Sequence, residues 1–229
     1  MKIAFLTSSF LPSIGGAQIG LHNICLGLHK NGHEPIVFIP YGCYIKLKRQ
    51  KWNIPYKLLP LPPKVFRLYF FTPNFAIILI KIYLNLINFY HKFDFWIANM
   101  AYPSGVILAR VFPKNKKDFT SVLCPGEDIQ IDLKINYGLR INKKIDFQVK
   151  KHLHKIDKFI ALTNSVKVEF QKLNINSQKI YEIPYGVNPD DLILKHDKNL
   201  LRKKHKISQE NFIFLCIGRN HPKKNFSLL

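Results

Sequence analysis

At 229 residues, 47% of them hydrophobic, the chain is long enough to bury a full core, which argues against a disordered protein. Its four cysteines include no Cys-x-x-Cys pair, so a zinc or redox motif of that kind is excluded. The excess of 35 Lys and Arg over 14 Asp and Glu, a formal charge of +21, indicates an acidic partner: a nucleic acid, an anionic membrane face or a phosphorylated small molecule. Solvated lysines without such a partner remain the alternative.

The first forty residues predict a βαβ unit. Lys2 to Thr7 is a short apolar run that ends in the polar, Pro- and Gly-bearing segment Ser8 to Gly16, as a strand buried on both faces does. The apolar pattern then predicts a helix that stops at Asn31-Gly32, and Pro35 to Pro40 predicts a second strand. Two strands joined through a helix in this way are expected to be parallel.

The alternation of strands and helices continues along the chain. We predict a helix in Asn74 to Tyr90, a strand at Phe93 to Ala98, a helix at Ser104 to Val111, a strand at Phe119 to Leu123, a helix at Lys143 to Ile156, a strand at Lys158 to Leu162, a helix capped by Asn164 or Ser165 that reaches Leu173, and a strand at Lys179 to Ile183. Repeated elements of these lengths predict an α/β fold with a doubly wound, mostly parallel, Rossmann-like sheet.

The most apolar stretch runs from Val65 to Tyr90. Arg67, Pro73 and Lys81 interrupt it, so it lacks the uncharged run of about 20 residues that spans a bilayer, and we expect it not to cross a membrane. Two interpretations remain open: a core helix of the sheet protein, or a helix that lies partly in a membrane interface among basic residues.

The texture of the sequence changes after Ile183. A Pro- and Gly-bearing connection leads to the basic helix-like stretch Asp197 to Lys206, then to a predicted buried strand at Asn211 to Ile217 and the start of a helix at Phe226 to Leu229. A strand and helix with no second strand cannot bury their own faces, so we expect a truncated second domain. The predicted domains are 1–188, with the sheet, and 189–229, with the linker and the start of the second domain.

Two loops that follow predicted strands of the first domain carry candidate site residues. Gly15-Gly16 directly precedes a helix, where backbone N–H groups and the helix dipole favour a phosphate, although two glycines can also merely close a strand-to-helix corner. Glu127 and Asp128 follow a glycine after the strand that ends at Leu123, and could bind sugar hydroxyls or act as acid or base, or could be acids at a helix N-terminus.

A third loop, Gly218 to Asn225, follows the last predicted strand. Its Arg219 and Lys224 stand five residues apart across a Pro-containing turn, so both cations could converge on one diphosphate. A solvated basic loop is the alternative.

Taken together, these motifs resemble those of the GT-B glycosyltransferases of family 4. The resemblance covers Lys2 to Leu229: the glycine pair before the first helix, the run GEDIQ with Tyr137 to Arg140 downstream, KIYEIPYGVN at Lys179 to Asn188, which is similar to the family's K-I-x-V-I-P-N-G-V-D, and GRNHPKKN, which is similar to its G-R-x-x-x-x-K-G. Tyr185 stands where the family pattern has Asn.

The resemblance implies a two-domain enzyme that moves a sugar from a nucleotide-sugar donor to a glycan or lipid-linked acceptor, in cell-surface polysaccharide or glycolipid synthesis. Arg219 and Lys224 would hold the donor diphosphate, and Gly15 and Gly16 would lie against it from the other side. No metal and no other cofactor are expected, because these cations and backbone dipoles stabilise the leaving diphosphate. The family's paired glutamates would lie beyond Leu229, so we expect this chain to be inactive alone.

We expect a cytoplasmic protein, peripheral on the inner face of the membrane if the positive charge meets anionic lipid. Two other functions are compatible with the residues. One is a non-catalytic remnant or partner that keeps only the acceptor domain. The other is a basic nucleic-acid-binding module, since ten tyrosines could stack on bases. The aromatic residues fall mainly in apolar runs such as Tyr69-Phe70-Phe71, where burial is favoured over stacking, so no nucleic acid is expected.

Overall fold

The structure, a computed structural model, describes residues 1–112, 119–187, 189, 197–218 and 220–228, except for the side chain of Ser227. The chain divides into two compact units, Met1–Tyr185 and Gly186–Leu229. This division concerns packing alone, so the predicted domain roles on either side of residue 188 stay predictions.

The first unit alternates strands and helices along its length. The strands are β1 (Lys2–Thr7), β2 (Glu34–Ile39), β3 (Lys57–Pro60), β4 (Phe95–Asn99), β5 (Phe119–Cys124), β6 (Lys158–Ala161) and β7 (Ile180–Glu182). The helices are α1 (Gly16–Lys30), α2 (Tyr41–Arg49), α3 (Val65–Phe71), α4 (Pro73–His91), α5 (Val106–Val111), α6 (Lys143–His152) and α7 (Asn164–Lys172).

The strands form one sheet in the order β3-β2-β1-β4-β5-β6-β7, and each neighbouring pair is parallel. The predicted α/β class and doubly wound sheet are therefore confirmed. The strand order reverses between β1 and β4, where Ile3 lies opposite Phe95 and Thr7 opposite Asn99. In an open parallel sheet, ligands bind beyond the carboxyl ends of the strands at this reversal.

Each face of the sheet has its own hydrophobic core. Successive residues of β1 divide between them: Ala4 and Leu6 enter the cluster that also holds Trp96 and Phe159, whereas Ile3 and Phe5 enter the other cluster with α1 and α2. Five of the six residues of β1 are buried, as expected for a central strand with helices on both sides.

Helix α4 is anchored to this core along one narrow stripe. Ala76, Ile80 and Leu84, spaced four residues apart, are buried, and the Tyr83 hydroxyl donates to the carbonyl of Pro60 at 2.6 Å. By length and composition alone, α4 is apolar enough to be a candidate membrane span. Only 17% of its apolar 18-residue segment is buried against the rest of the described chain. The helix is thus part of the sheet's packing and also presents apolar side chains to its surroundings.

Helices α3 and α4 carry a large group of exposed apolar side chains. They are Phe70, Phe71, Phe75, Ile78, Leu79, Ile82, Leu86, Phe89 and Tyr90, and are called here the α3–α4 apolar face. Exposed apolar area of this extent usually marks a surface that meets another apolar phase.

Elements between Tyr41 and Phe71 escaped prediction. Helix α2 starts directly after Pro40 and is rich in lysine, β3 has four residues and ends in Pro60, and α3 begins after Lys64 in the left-handed conformation. Each signal is weak because short elements at a sheet edge are set by tertiary contacts. The predicted cap of α7 was also wrong: Thr163, one residue earlier, accepts from the N–H of Val166.

The second unit contains one α-helix within its described residues, α8 (Lys198–Lys204), whose N-cap Asp197 accepts from the N–H groups of Asn199 and Leu200. The predicted buried strand at 211–217 is not formed: Phe212 and Phe214 are more than 80% exposed. A strand needs a neighbouring strand for its N–H and C=O groups, and among the described residues no strand pairs with this segment. The predicted helix start appears as a 3₁₀ turn at Phe226–Leu228.

Candidate functional site

The loops that follow β1, β4 and β5 line the carboxyl edge of the sheet at the strand reversal. The segment after β1 is held by its own side chains. The Thr7 hydroxyl donates to the carbonyl of Ser9 at 2.8 Å, and the Gln18 amide donates to the Ser9 hydroxyl at 2.7 Å. Gln18 lies in the first turn of α1, so these bonds tie the loop to the start of the helix.

Gly15 and Gly16 lie where this loop enters α1. Gly15 is the N-cap residue with φ −168° and ψ 164°, an extended conformation that any residue adopts. A Cβ added at Gly16 would meet no atom of the described chain within 4 Å, and one added at Gly15 would meet only the flexible Gln18 side chain. The corner therefore does not need glycine for its own geometry, and the space beside Gly16 is open to a ligand at the helix N-terminus.

The chain leaves β4 through a strained residue. Met100 has φ 83° and ψ 141°, in a region that favours glycine. Its N–H donates to the carbonyl of Leu123 at 2.8 Å, and its carbonyl accepts from the N–H of Gly105 at 3.0 Å. Non-glycine residues keep such a conformation only where their surroundings fix it, and functional sites are where this is most often found.

Asp128 supplies another of the contacts that fix this turn. It is completely buried, and its carboxylate accepts from the N–H of Ala101, directly after Met100, and from the N–H of Gly126 at 3.0 Å. Burial raises the pKa of Asp128, and the hydrogen bonds from Ala101, Cys124 and Gly126 oppose that rise. Of the two predicted acids, Asp128 therefore faces donors of its own chain, where it joins the loops after β4 and β5.

Glu127 is half-buried beside it. Its backbone carbonyl accepts from the N–H of Leu139 at 2.8 Å, which ties the GEDIQ loop to the downstream segment. Residues 126–130 form a turn, so neither acid stands at a helix N-terminus as the alternative interpretation required. Glu127 is the predicted acid that keeps partial access to solvent.

The run at Tyr137 to Arg140 is the rigid support of this loop. Gly138 has φ 112°, and a Cβ there would lie 2.0 Å from the carbonyl oxygen of Gln130. Buried Arg140 donates to the carbonyl of Ile129 at 2.7 Å and pairs with Asp146 at 2.9 Å and with Glu169 at 3.5 Å. Sequence reasoning noted these residues only through the family resemblance, because their partners lie on α6 and α7.

Tyr185 was missed as a member of this edge. Its ring packs against α1, where a Cβ added at Gly20 would lie 2.3 Å from the ring. Burial raises the pKa of Tyr185 to about 12, and the nearby charges of Asp128 and Cys124 act in the same direction. Its hydroxyl is buried without a hydrogen-bond partner among the described residues. Its position in the KIYEIPYGVN run was the available signal.

The predicted cations belong to the second unit. Arg219 and Asn188 lie outside the described residues. Lys224 ends a 3₁₀ turn at Pro222–Lys224, and its side-chain carbons lie beside Gly218, where an added Cβ would be 3.7 Å from Lys224 Cγ. Convergence of Arg219, Lys224, Gly15 and Gly16 on one diphosphate therefore stays a prediction.

The carboxyl edge of the sheet offers neutral hydrogen-bonding groups and few charged ones. The Asn99 side-chain oxygen, buried next to Thr7, has no partner within the described part of the chain. No cluster of three or more His, Cys, Asp or Glu residues suited to a metal was found among the described residues. Hydroxyls, amides and open backbone N–H groups are the chemistry with which proteins bind polar, uncharged ligand groups and phosphates.

Solved structures with the same fold include glycosyltransferases and UDP-GlcNAc 2-epimerases. A glycosyltransferase from Rickettsia africae matches 91% of this chain with a TM-score of 0.60 and 15% identity, over 51% of its own length. HepE from Anabaena in complex with UDP matches 90% of this chain and 50% of its own, with a TM-score of 0.52 and 17% identity. At these identities the likeness shows the fold.

A third solved structure is the lipopolysaccharide outer core galactosyltransferase WaaB, which matches 82% of this chain and 46% of its own, with a TM-score of 0.55 and 13% identity. The chain thus spans about half the length of the solved structures that it matches. A comparison with curated proteins found no match.

The family model that matches the chain is the one for Glycosyltransferase Family 4, over residues 14–191. The match starts just before the Gly15-Gly16 corner, contains the GEDIQ loop with Asp128, and runs past Tyr185. It covers more than half of the sequence and every element that builds the carboxyl edge after β1. The chain therefore belongs to Glycosyltransferase Family 4.

Proposed function

We propose that the protein transfers a hexose from a nucleotide-sugar donor to a glycan or lipid-linked acceptor in the synthesis of cell-surface polysaccharide or glycolipid. Membership of Glycosyltransferase Family 4 carries this proposal. The UDP bound by Anabaena HepE supports a nucleotide-sugar donor, and the lipopolysaccharide substrate named for WaaB supports an acceptor of the cell surface. The activity is that of the whole two-domain protein, of which this chain supplies the acceptor-side sheet.

In this proposal the donor diphosphate lies between Arg219 and Lys224 on one side and Gly15 and Gly16 on the other. The open space beside Gly16 and the N-terminus of α1 support the role of the glycine pair. The two cations and the backbone N–H groups balance the charge of the leaving nucleoside diphosphate, so no metal and no further cofactor take part.

Of the predicted acids, Glu127 is the candidate that reaches the acceptor, since it is half-buried. Asp128 is a positioning residue, because its carboxylate accepts from the N–H of Ala101 and so fixes the turn after β4.

We also propose a cytoplasmic location, with peripheral attachment to the inner face of the membrane. The exposed residues of the α3–α4 apolar face support it. The sequence has no Asp or Glu between Glu34 and Asp94, so the basic residues near this face are not offset locally. An apolar surface among lysines suits the interface of an anionic bilayer.

Calorimetric titration with UDP, GDP and ADP tests the donor site, on the longest reading frame that contains this chain. We expect one of the three to bind. Arg219→Ala and Lys224→Ala should each weaken it by roughly ten- to a hundred-fold, because each removes a charge-assisted hydrogen bond worth about 1.5–3 kcal/mol.

Lys203→Ala, on the exposed surface of α8, removes one positive charge elsewhere and is the matched control. Gly16→Ala should weaken binding without lowering the melting temperature, since nothing in the described chain opposes its Cβ. Absence of binding by all three nucleotides, or an equal loss in Lys203→Ala, would contradict the proposed donor site.

A further inference from the structure

A groove of about 420 Å³ lies between α3 and α6, and its lining includes neither Gly15 nor Gly16. Its walls are largely aromatic, with Phe70 and Phe71 on one side and Phe147 on the other, all three more than half exposed. Lys143 and Lys144 also line it. The volume is within the range of pockets that hold small ligands.

The two lysines are placed where a helix least favours cations. Lys143 and Lys144 occupy the first two positions of α6, after the N-cap Asn142. The positive end of the helix dipole disfavours positive charge there, and an anion would reverse the penalty. Asp146, in the same turn, is already engaged by Arg140 at 2.9 Å and by Lys150 at 2.6 Å. Within the described residues, neither Lys143 nor Lys144 forms an ion pair.

The groove also offers an unused acceptor. Gln148, one turn after Lys144, lines it, and its side-chain oxygen is buried without a partner among the described residues. A buried acceptor of this kind costs free energy unless a donor such as a ligand hydroxyl reaches it. The polar groups therefore suit a ligand that carries both an anionic group and a hydroxyl.

The groove connects two regions already described. Phe70 and Phe71 belong to the α3–α4 apolar face, so an apolar chain that leaves the groove on this side meets further exposed apolar side chains. Tyr102 also lines the groove, and it directly follows Ala101, the residue held by Asp128 at the carboxyl edge of the sheet. One ligand could therefore extend from the α3–α4 apolar face, along the groove, to the carboxyl edge of the sheet.

We propose that the groove between α3 and α6 binds the phosphate of a membrane lipid, with Lys143 and Lys144 on the phosphate and the lipid chain along Phe70 and Phe71. The proposal does not depend on the proposed sugar transfer. The lipid site itself rests on the groove, its two unpaired cations and its aromatic walls.

Calorimetry with dodecyl phosphate below its micelle concentration tests the site. Dodecyl maltoside, with the same chain and no charge, and inorganic phosphate, with the charge and no chain, are the paired probes. We expect dodecyl phosphate to bind at least ten-fold more tightly than either. Lys143→Ala/Lys144→Ala should abolish the preference for dodecyl phosphate over the maltoside.

The control variant is Lys203→Ala/Lys204→Ala, which removes the same charge from the exposed surface of α8. It should keep the preference, and circular dichroism should show both double variants folded. Equal binding of the maltoside would reduce the groove to an apolar contact, and an equal loss in the control would reduce it to bulk charge; either result overturns the proposal. Nucleotide titration of the same variants separates the two proposals, because loss of donor binding leaves the lipid result intact.

Discussion

At the scale of single residues, the least expected role is that of Asp128. The sequence presents two adjacent acids after a strand and gives no sign of which one faces solvent. The structure separates them, because the donors that enclose Asp128 come from Ala101, 27 positions earlier, and from Gly126. A carboxylate with these partners stabilises the strained turn at Met100.

Asp128→Asn tests this role. The amide keeps one acceptor oxygen and turns its NH₂ toward a backbone N–H, so we expect the free energy of unfolding to fall by about 1.5–3 kcal/mol, the worth of a hydrogen bond to a charged group. Chemical denaturation measures the change. Asp132→Asn, on an exposed turn, is the control and should change little. An unchanged stability in Asp128→Asn would refute the structural role.

A second residue-scale prediction concerns His152, at the end of α6. Burial, as the largest cause, and the charges of Arg110, Lys155, Lys151 and His154 together lower the pKa of His152 to about 4. Because the unfolded imidazole takes up its proton near pH 6.5, its contribution to stability is complete above that pH and is lost as the pH falls from about 6.5 toward 4.

We therefore expect the free energy of unfolding to decline less steeply over this pH range in His152→Leu than in the unaltered chain. Denaturation curves at several pH values give the slope. His29→Leu, on the exposed end of α1, controls for the loss of an imidazole. Identical slopes in His152→Leu and the unaltered chain would show that the pKa of His152 is the same in the folded and unfolded states.

At the scale of elements, helix α1 packs against the Tyr185 ring at Gly20, where there is no room for a Cβ. Glycine inside a helix usually costs about 0.5–1 kcal/mol relative to alanine, so Gly27→Ala, where a Cβ meets nothing within 4 Å, should stabilise by about that amount. Gly20→Ala should instead destabilise, because its Cβ would overlap the Tyr185 ring. In the background of Tyr185→Asn the penalty should disappear. Thermal melts of the four variants form the test, and a stabilising Gly20→Ala would show that the ring is not held there.

The elements predicted from sequence were those with strong periodic signals. β1 and β2, and the strands from β4 to β7, were located to within about two residues, because buried parallel strands are short apolar runs with polar ends. Helix α2 and strand β3 were missed because a lysine-rich helix and a four-residue edge strand lack such a pattern. The segment 211–217 has the composition of a strand, but composition cannot provide the neighbour that a strand needs.

The same distinction applies to the site. The glycine corner and the GEDIQ loop were found because they follow apolar strands directly. The packing of Tyr185 on Gly20 joins residues 165 positions apart in the chain, so no local pattern announces it. The groove beside Lys143 escaped for the same reason, since its walls come from α3 and α6.

At the scale of the whole molecule, the charge of +21 and the α3–α4 apolar face make a joint prediction about membranes. Vesicles with anionic lipid should retain the protein at low ionic strength and release most of it near 1 M salt, where the screening length falls to about 3 Å. Flotation of the protein with vesicles measures the retained fraction.

Leu86→Ser should lower retention at every salt concentration, because it removes apolar area that would enter the interface. Leu133→Ser, at an even more exposed position on a loop, is the control and should not. If retention depended on salt alone and both variants matched the unaltered protein, the α3–α4 face would have no part in attachment.

The pairing of β1 with β4 also has a consequence for synthesis on the ribosome. Lys2 and Asp94, which meet beside this pair, are 92 positions apart, and ribosomes add about 5–20 residues per second. For about 5–20 s after its synthesis, β1 therefore has no strand partner on the edge that later pairs with β4. Helices α3 and α4 emerge within that interval, so the most apolar helices of the chain leave the exit tunnel before the strand that completes their docking surface.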